Sequence, residues 1–224
     1  MKSVIEPSHS ESGESGQTGG MKKFIFLGIG AALLAGCTTS GDGRLTLFSP
    51  VVKTEFRIAG TSTYVGCDNL TGAPVGEVPG QTSVRVDFTS SGSVSSVQVR
   101  LRGATDSNRD SNFVSTFNQN NGLKQNGTNN YSVFFTAQAA TGNFLPASKP
   151  GTLSAQAIIV SPATTTVKTV NVNTADQVNG SNGGFRAALT GFSDQGSATG
   201  EIQSIGLTPV YTTCAFVSDT TEQL

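Results

Sequence analysis

The chain has 224 residues, with 14 Lys and Arg against 15 Asp and Glu, a net charge of −1 and only 13% charged residues. A charge so sparse and so balanced argues against the basic footprint of a nucleic-acid-binding domain. The one histidine, His9, and both methionines precede residue 37, and tryptophan is absent. From residue 37 onward there is thus no imidazole for a Ser-His-Asp or Cys-His hydrolase, or for a histidine-ligated zinc, copper or haem.

Residues 1–20 carry Glu6, Glu11 and Glu14 against a single Lys2. They read as a non-native extension upstream of a start at Met21, with a genuine disordered polar segment as the alternative. Met21-Lys22-Lys23, an apolar run over 24–34 and Leu34-Ala35-Gly36-Cys37 follow. A short basic segment, about ten apolar residues and a small-residue cleavage site predict a signal peptide over 21–36, too short to span a bilayer as a mature helix. Its last four residues resemble the lipobox of bacterial lipoproteins. The resemblance implies diacylglycerol on the Cys37 thiol, cleavage before Cys37 and acylation of the new amino terminus. Two or more chains hold a protein stably at a membrane where one does not. Thr38, in place of an aspartate, implies the outer membrane by the proteobacterial sorting rule. Residues 37–50, small and polar at their start, read as the lipidated cysteine and a tether.

Residues 51–224 read as a single β-sandwich domain, with two packed lobes as the alternative. Val84, Val86 and Phe88 alternate with Arg85 and Asp87; Val97, Val99 and Leu101 alternate with Gln98 and Arg100. Period two predicts strands with one buried and one wet face. The Thr89-Ser90-Ser91-Gly92-Ser93 cluster joins them as a hairpin or as a corner between sheets. Further strands are predicted at Tyr131, Val133 and Phe135, at 153–159, and at 166–172, where Val167 is out of phase with Val170. Three more follow, at 185–189, 200–207 and 210–217.

Residues 82–174 resemble a bacterial immunoglobulin-like domain in the order of Ser83-Val84-Arg85-Val86-Asp87-Phe88, the run 94–101, Tyr131-Ser132-Val133-Phe134-Phe135 and Thr152-Leu153-Ser154-Ala155-Gln156-Ala157. The resemblance implies an all-β, immunoglobulin-like antiparallel β-sandwich of the kind surface proteins use as a spacer or binding module, here with extra C-terminal strands. The chain departs from that pattern in lacking a core tryptophan and in a long insert over 103–130.

With Cys37 lipidated, Cys67 and Cys214 are the two cysteines left, and in an exported protein they are expected to form a disulfide. The bond would clasp the first strands to the last. A redox-active thiol is the alternative, without Cys-x-x-Cys spacing or an adjacent basic group.

Asp106, Asn108 and Asp110 place oxygens at alternate positions, as a calcium loop does, but Ser111 and Phe117 stand where an EF-hand needs glycine and an acid. Arg109 opposes a cation too, and the loop reads as a solvated turn. In the Asn- and Gln-rich stretch 112–130, the candidate ligand-binding residues are Asn112, Phe113, Phe117, Asn118 and Gln119. Amides suit the hydroxyls of a glycan and aromatics cover a sugar face, although Phe113 and Phe117 read first as packing residues. The glycines of 179–184 form a turn and no phosphate cradle. Asp87, Asp176, Asp194 and Glu201 read as surface charges, Glu201 and Asp194 being the best carboxylates for a hydrolase if one exists.

The expected function is that of a lipid-anchored cell-envelope protein, a structural or accessory interaction subunit of a surface or outer-membrane assembly. The alternative is an adhesin-like glycan or small-ligand binding module using the loop 112–130. The expectation includes a membrane reached through Cys37 and an envelope protein partner, with no cofactor, no catalytic residue and no nucleic acid.

Overall fold

The computed structural model describes residues 44–73, 80–102, 114–138, 157–160, 165–177 and 183–224. The signal peptide, Cys37, residues 103–113 with the calcium candidates Asp106, Asn108 and Asp110, and the ligand candidates Asn112 and Phe113 lie outside them.

In chain order the strands are β1 (Leu47–Thr54), β2 (Phe56–Ile58), β3 (Tyr64–Cys67), β4 (Leu70–Thr71), β5 (Gln81–Ser90), β6 (Ser96–Arg102), β7 (Val114–Asn118) and β8 (Leu123–Gly127). They continue as β9 (Asn130–Gln138), β10 (Ala157–Val160), β11 (Thr166–Val172), β12 (Gly184–Phe192), β13 (Ile202–Gln203), β14 (Thr208–Tyr211) and β15 (Cys214–Gln223). A single 3-10 turn, Thr174–Asp176, is the one helical element among the described residues.

The strands form two sheets packed as a sandwich. One runs β1-β5-β9-β10 with β8 also on β9; the other runs β4-β15-β11-β2-β3-β14-β12-β6-β7 with β13 on β12. The alternation in the sequence is the reason. Val84, Val86 and Phe88 of β5 and Val97, Val99 and Leu101 of β6 are buried and meet Tyr131, Val133 and Phe135 of β9 in one core between the sheets. The turn after β5 is a corner between sheets: β5 pairs with β1 and β9, whereas β6 pairs with β12 and β7. A second cluster, with Phe56, Val65, Cys67, Val170, Tyr211 and Cys214, lies under the β15-to-β14 half of the larger sheet.

Several expectations need correction. The all-β sandwich stands, but not every strand pair is antiparallel: β11 with β2, β14 with β3 and β15 with β4 are parallel. Parallel neighbours need long connections, and each of these pairs joins strands far apart in the chain. Residues 45–50, expected to belong to a tether, are part of the fold: Leu45 and Leu47 are buried and β1 begins at Leu47. Leu47 packs on Gly191, where even a Cβ would come within 3.0 Å of it.

The stretch read as a long insert holds β7 and β8, anchored by Phe117 and Leu123 in the core. Of the strand expected at 200–207 only Ile202–Gln203 forms, and the one expected at 210–217 breaks at Thr212-Thr213 into β14 and β15. The phase shift from Val167 to Val170 coincides with irregularities in the β11–β15 ladder between Thr166 and Lys168 and between Thr169 and Val170. Gly184 permits a close crossing of strands, since a Cβ there would lie 2.3 Å from the Thr208 carbonyl oxygen.

Candidate functional site

Two concavities among the described residues border β1, an outer strand of the five-stranded sheet. Its pairing with β5 slips between Phe48 and Val51, where Ser49 has φ +50° and Pro50 follows. A bulge and a proline on an edge strand twist it out of line for further pairing. The chain then borders a concavity on either side.

The first, of about 390 Å3, is walled by Pro50 and Val51 of β1, Tyr64 of β3, and Ile205, Leu207 and Pro209 from the β13–β14 segment. Ile205 is 92% exposed and Val51 52%. The second, of about 460 Å3, opens on the outer face of the five-stranded sheet and is lined by Ser49, Val51, Arg85, Asp87, Asn126 and Asn130, among others. Odd-numbered residues of β5 point to this face because the even-numbered valines fill the core. Asp87 pairs across the sheet with Ser132, and Arg85 with Phe134.

Arg85 Nε donates to Asp87 Oδ1 at 2.6 Å, and Ser132 Oγ donates to the same oxygen at 2.5 Å. Asn126 Nδ2 donates in turn to Ser132 Oγ at 2.5 Å. The guanidinium of Arg85 and the ammonium of Lys124 lie 5.4 and 4.7 Å from the Phe134 ring centroid. Such contacts hold long side chains in place.

Beside the first concavity Tyr64 Oη donates to Glu222 Oε1 at 2.5 Å, while Arg57 Nη1 lies 2.8 Å from Glu222 Oε2 and Lys53 Nζ 3.7 Å from Oε1. Burial, then the hydrogen bond to Glu222 and its charge, push the Tyr64 phenol up to about 12, against a smaller opposing effect of Arg57.

Cys67 and Cys214 form a disulfide that joins β3 to β15 inside the second core cluster, across a sequence separation of 147 residues. Phe117 is wholly buried, with its ring 5.8 Å from that of Phe135, so it packs the core and presents nothing to a ligand. Asn118 and Gln119 stand at the β7–β8 turn, where the Asn118 carboxamide accepts from Asn120 N at 2.9 Å. Neither is among the residues lining the two concavities. Glu201 is bonded to Arg102 and lies 3.9 Å from Arg100, which makes it a counter-ion. Asp194 is exposed in the turn after β12.

Among the described residues no group of three or more His, Cys, Asp or Glu could hold a metal ion, and no helix is long and apolar enough to cross a membrane. The residues around Asp87 escaped the reading of the sequence, although two signals pointed to them. Alternation put Arg85 and Asp87 on the wet face, and Asn126 and Asn130 belong to the amide-rich stretch.

Fold and surface define a disulfide-bonded β-sandwich with two concavities flanking a bulged outer strand. No protein-family model matches the chain, and no curated protein or solved structure does so either.

Proposed function

We propose that the protein is a lipid-anchored cell-envelope protein, held at the outer membrane through Cys37, and that its sandwich is an accessory interaction subunit docking an envelope protein at the β1 rim. The observation that carries the reading is the apolar mouth of the first concavity. Scattered apolar residues on a surface are ordinary. Here Ile205, 92% exposed, and Val51, 52% exposed, share one recess with Leu207, Pro50 and Pro209. An apolar recess of this size suits an anchoring side chain from a partner. The lipobox resemblance supports the address, and the immunoglobulin-like resemblance supports a spacer or binding role. The absence of histidine from residues 37–224 supports a non-catalytic role.

The test places a photo-crosslinking amino acid at 205 in intact envelopes, with a second at exposed Thr221 as control. One stoichiometric envelope protein captured from 205 and not from 221, and lost when Val51 is changed to Asp, is the expected result. Equal capture from both positions would remove the docking reading. Palmitate labelling that survives Cys37→Ser would remove the anchor.

A further inference from the structure

The second concavity has a chemistry that the docking reading leaves unused. We infer that it binds a neutral, hydroxyl-rich ligand, a carbohydrate, with Asp87, Arg85, Asn126 and Asn130 reading its hydroxyls and Phe48 covering a sugar face. The inference does not rest on docking at the β1 rim, although Ser49 and Val51 border both concavities.

Four features lead there. The first is a prearranged polar array. In the relay from Asn126 through Ser132 to Asp87, met there by Arg85, each hydrogen bond between side chains is 2.5 or 2.6 Å long. The relay uses one oxygen of Asp87, the amide nitrogen of Asn126 and the Nε of Arg85. Asn130 likewise spends its Nδ2 on the Thr128 carbonyl at 3.1 Å. Asp87 Oδ2, Asn126 Oδ1 and Asn130 Oδ1 remain as acceptors, and the two terminal amino groups of Arg85 remain as donors. A sugar hydroxyl both donates and accepts, so adjacent hydroxyls match a wall that offers both kinds of group. Side chains already held by the protein lose little further freedom on binding.

Charge is the second feature. The cavity lining carries one cation, Arg85, and one anion, Asp87, paired with each other. Their charges cancel, which favours an uncharged ligand over a phosphate or a metal ion. Size is the third, since about 460 Å3 lies within the roughly 300–1,000 Å3 of small-molecule sites.

The fourth is an exposed aromatic at the rim. Phe48 pairs in register with Thr89, and Thr89 with Asn130, both of which line the cavity. Its neighbour Leu47 is in the core, so Phe48 points to the opposite, outer face and is 44% exposed. A solvent-facing ring on the same face of the sheet as the carboxylate and amides offers an apolar surface to the C–H face of a sugar, and the polar groups offer hydrogen bonds to its edge.

The test is retention of the full chain on a printed array of neutral and acidic oligosaccharides, followed by titration of the best neutral member by NMR. Retention of a neutral glycan is expected, with shifts at Asp87, Asn126 and Asn130. Phe48→Ala and Asp87→Asn should each weaken it by about tenfold or more. Phe48→Ala alters an exposed side chain, so it reports on binding even if Asp87→Asn disturbs the sheet. Ile205→Asp, a change on the docking rim, should leave retention unaltered. Failure to retain any neutral glycan would overturn the inference, as would retention of acidic members alone or retention unmoved by Phe48→Ala.

Discussion

Tyr64 donates its phenolic hydrogen to Glu222, which lies 158 residues later and is also held by Arg57 and Lys53. A strand near the start of the fold is thereby fastened to the last strand by a side-chain bond, on top of the disulfide that joins the same two strands. The bond requires the phenol to keep its proton beside a carboxylate.

That requirement sets a pH dependence. The folded phenol titrates at about 12 against an ordinary value of 10.0. The unfolded chain therefore loses this proton first, and the folded state holds more protons between the two values. The contribution is complete below pH 10 and is lost as pH rises through 12. Urea unfolding followed from pH 8 to 12 should show stability falling over this window, with a shallower fall in Tyr64→Phe. Equal slopes for the two proteins would contradict the assignment.

Removal of the disulfide should be costly. Closing a loop over a separation of 147 residues contributes on the order of 5 kcal/mol in the chain-entropy picture. The Cys67→Ala, Cys214→Ala double variant should lose a large part of that in denaturant unfolding at neutral pH. A loss below about 1 kcal/mol would mean that strand pairing alone constrains the two ends.

Glu201 balances a crowd of arginines. Arg102 and Arg186 are directly opposed across β6 and β12, and Arg100 stands two residues along the same face as Arg102. Like charges opposed across strands are destabilising, and Glu201 is bonded to Arg102 and near Arg100. Glu201→Gln should cost about 1–2 kcal/mol in dilute buffer, and less as salt screens the arginines. The same change at exposed Asp194 should be close to silent. Thermal unfolding at two ionic strengths measures both.

Phe117 and its neighbours separate packing from recognition. Phe117→Ala opens a cavity beside Phe135 and should destabilise by about 3–5 kcal/mol. Asn118→Ala and Gln119→Ala, at exposed positions, should each cost under about 1 kcal/mol and leave glycan retention unchanged. Lost retention with an intact fold in either would return the site to the segment 112–119.

Glu55 provides a buried counterpart to these surface charges. Its Oε1 accepts from Ser83 N at 2.5 Å and its Oε2 lies 3.4 Å from Lys168 Nζ, with the residue only 7% exposed. Glu55→Ala removes a partner of a part-buried amide and of a largely buried ammonium, and a loss of about 3 kcal/mol is expected. Denaturant unfolding would expose a smaller effect, which would mean that water replaces the carboxylate.

Alternation by itself determined the class of the fold and the buried faces of β5, β6 and β9. Side chains in a strand point alternately to its two sides, so burial on one side is written locally in the order of residues. The pairing of Cys67 with Cys214 was also legible, once Cys37 was set aside as the expected lipidation site. What alternation does not carry is the identity of a strand's neighbour. Serine and glycine between β5 and β6 permit a hairpin and a corner alike, and the packing of both sheets on one core made it a corner. The parallel pairs, the break between β14 and β15 and the early start at Leu47 were settled in the same way, by contacts between distant residues. So was the fate of the amide-rich stretch. Phe117 already read as a packing residue, and the core holds it; Asn126 and Asn130 were not singled out by the order of residues, and only the assembled sheets set them in one concavity with Asp87.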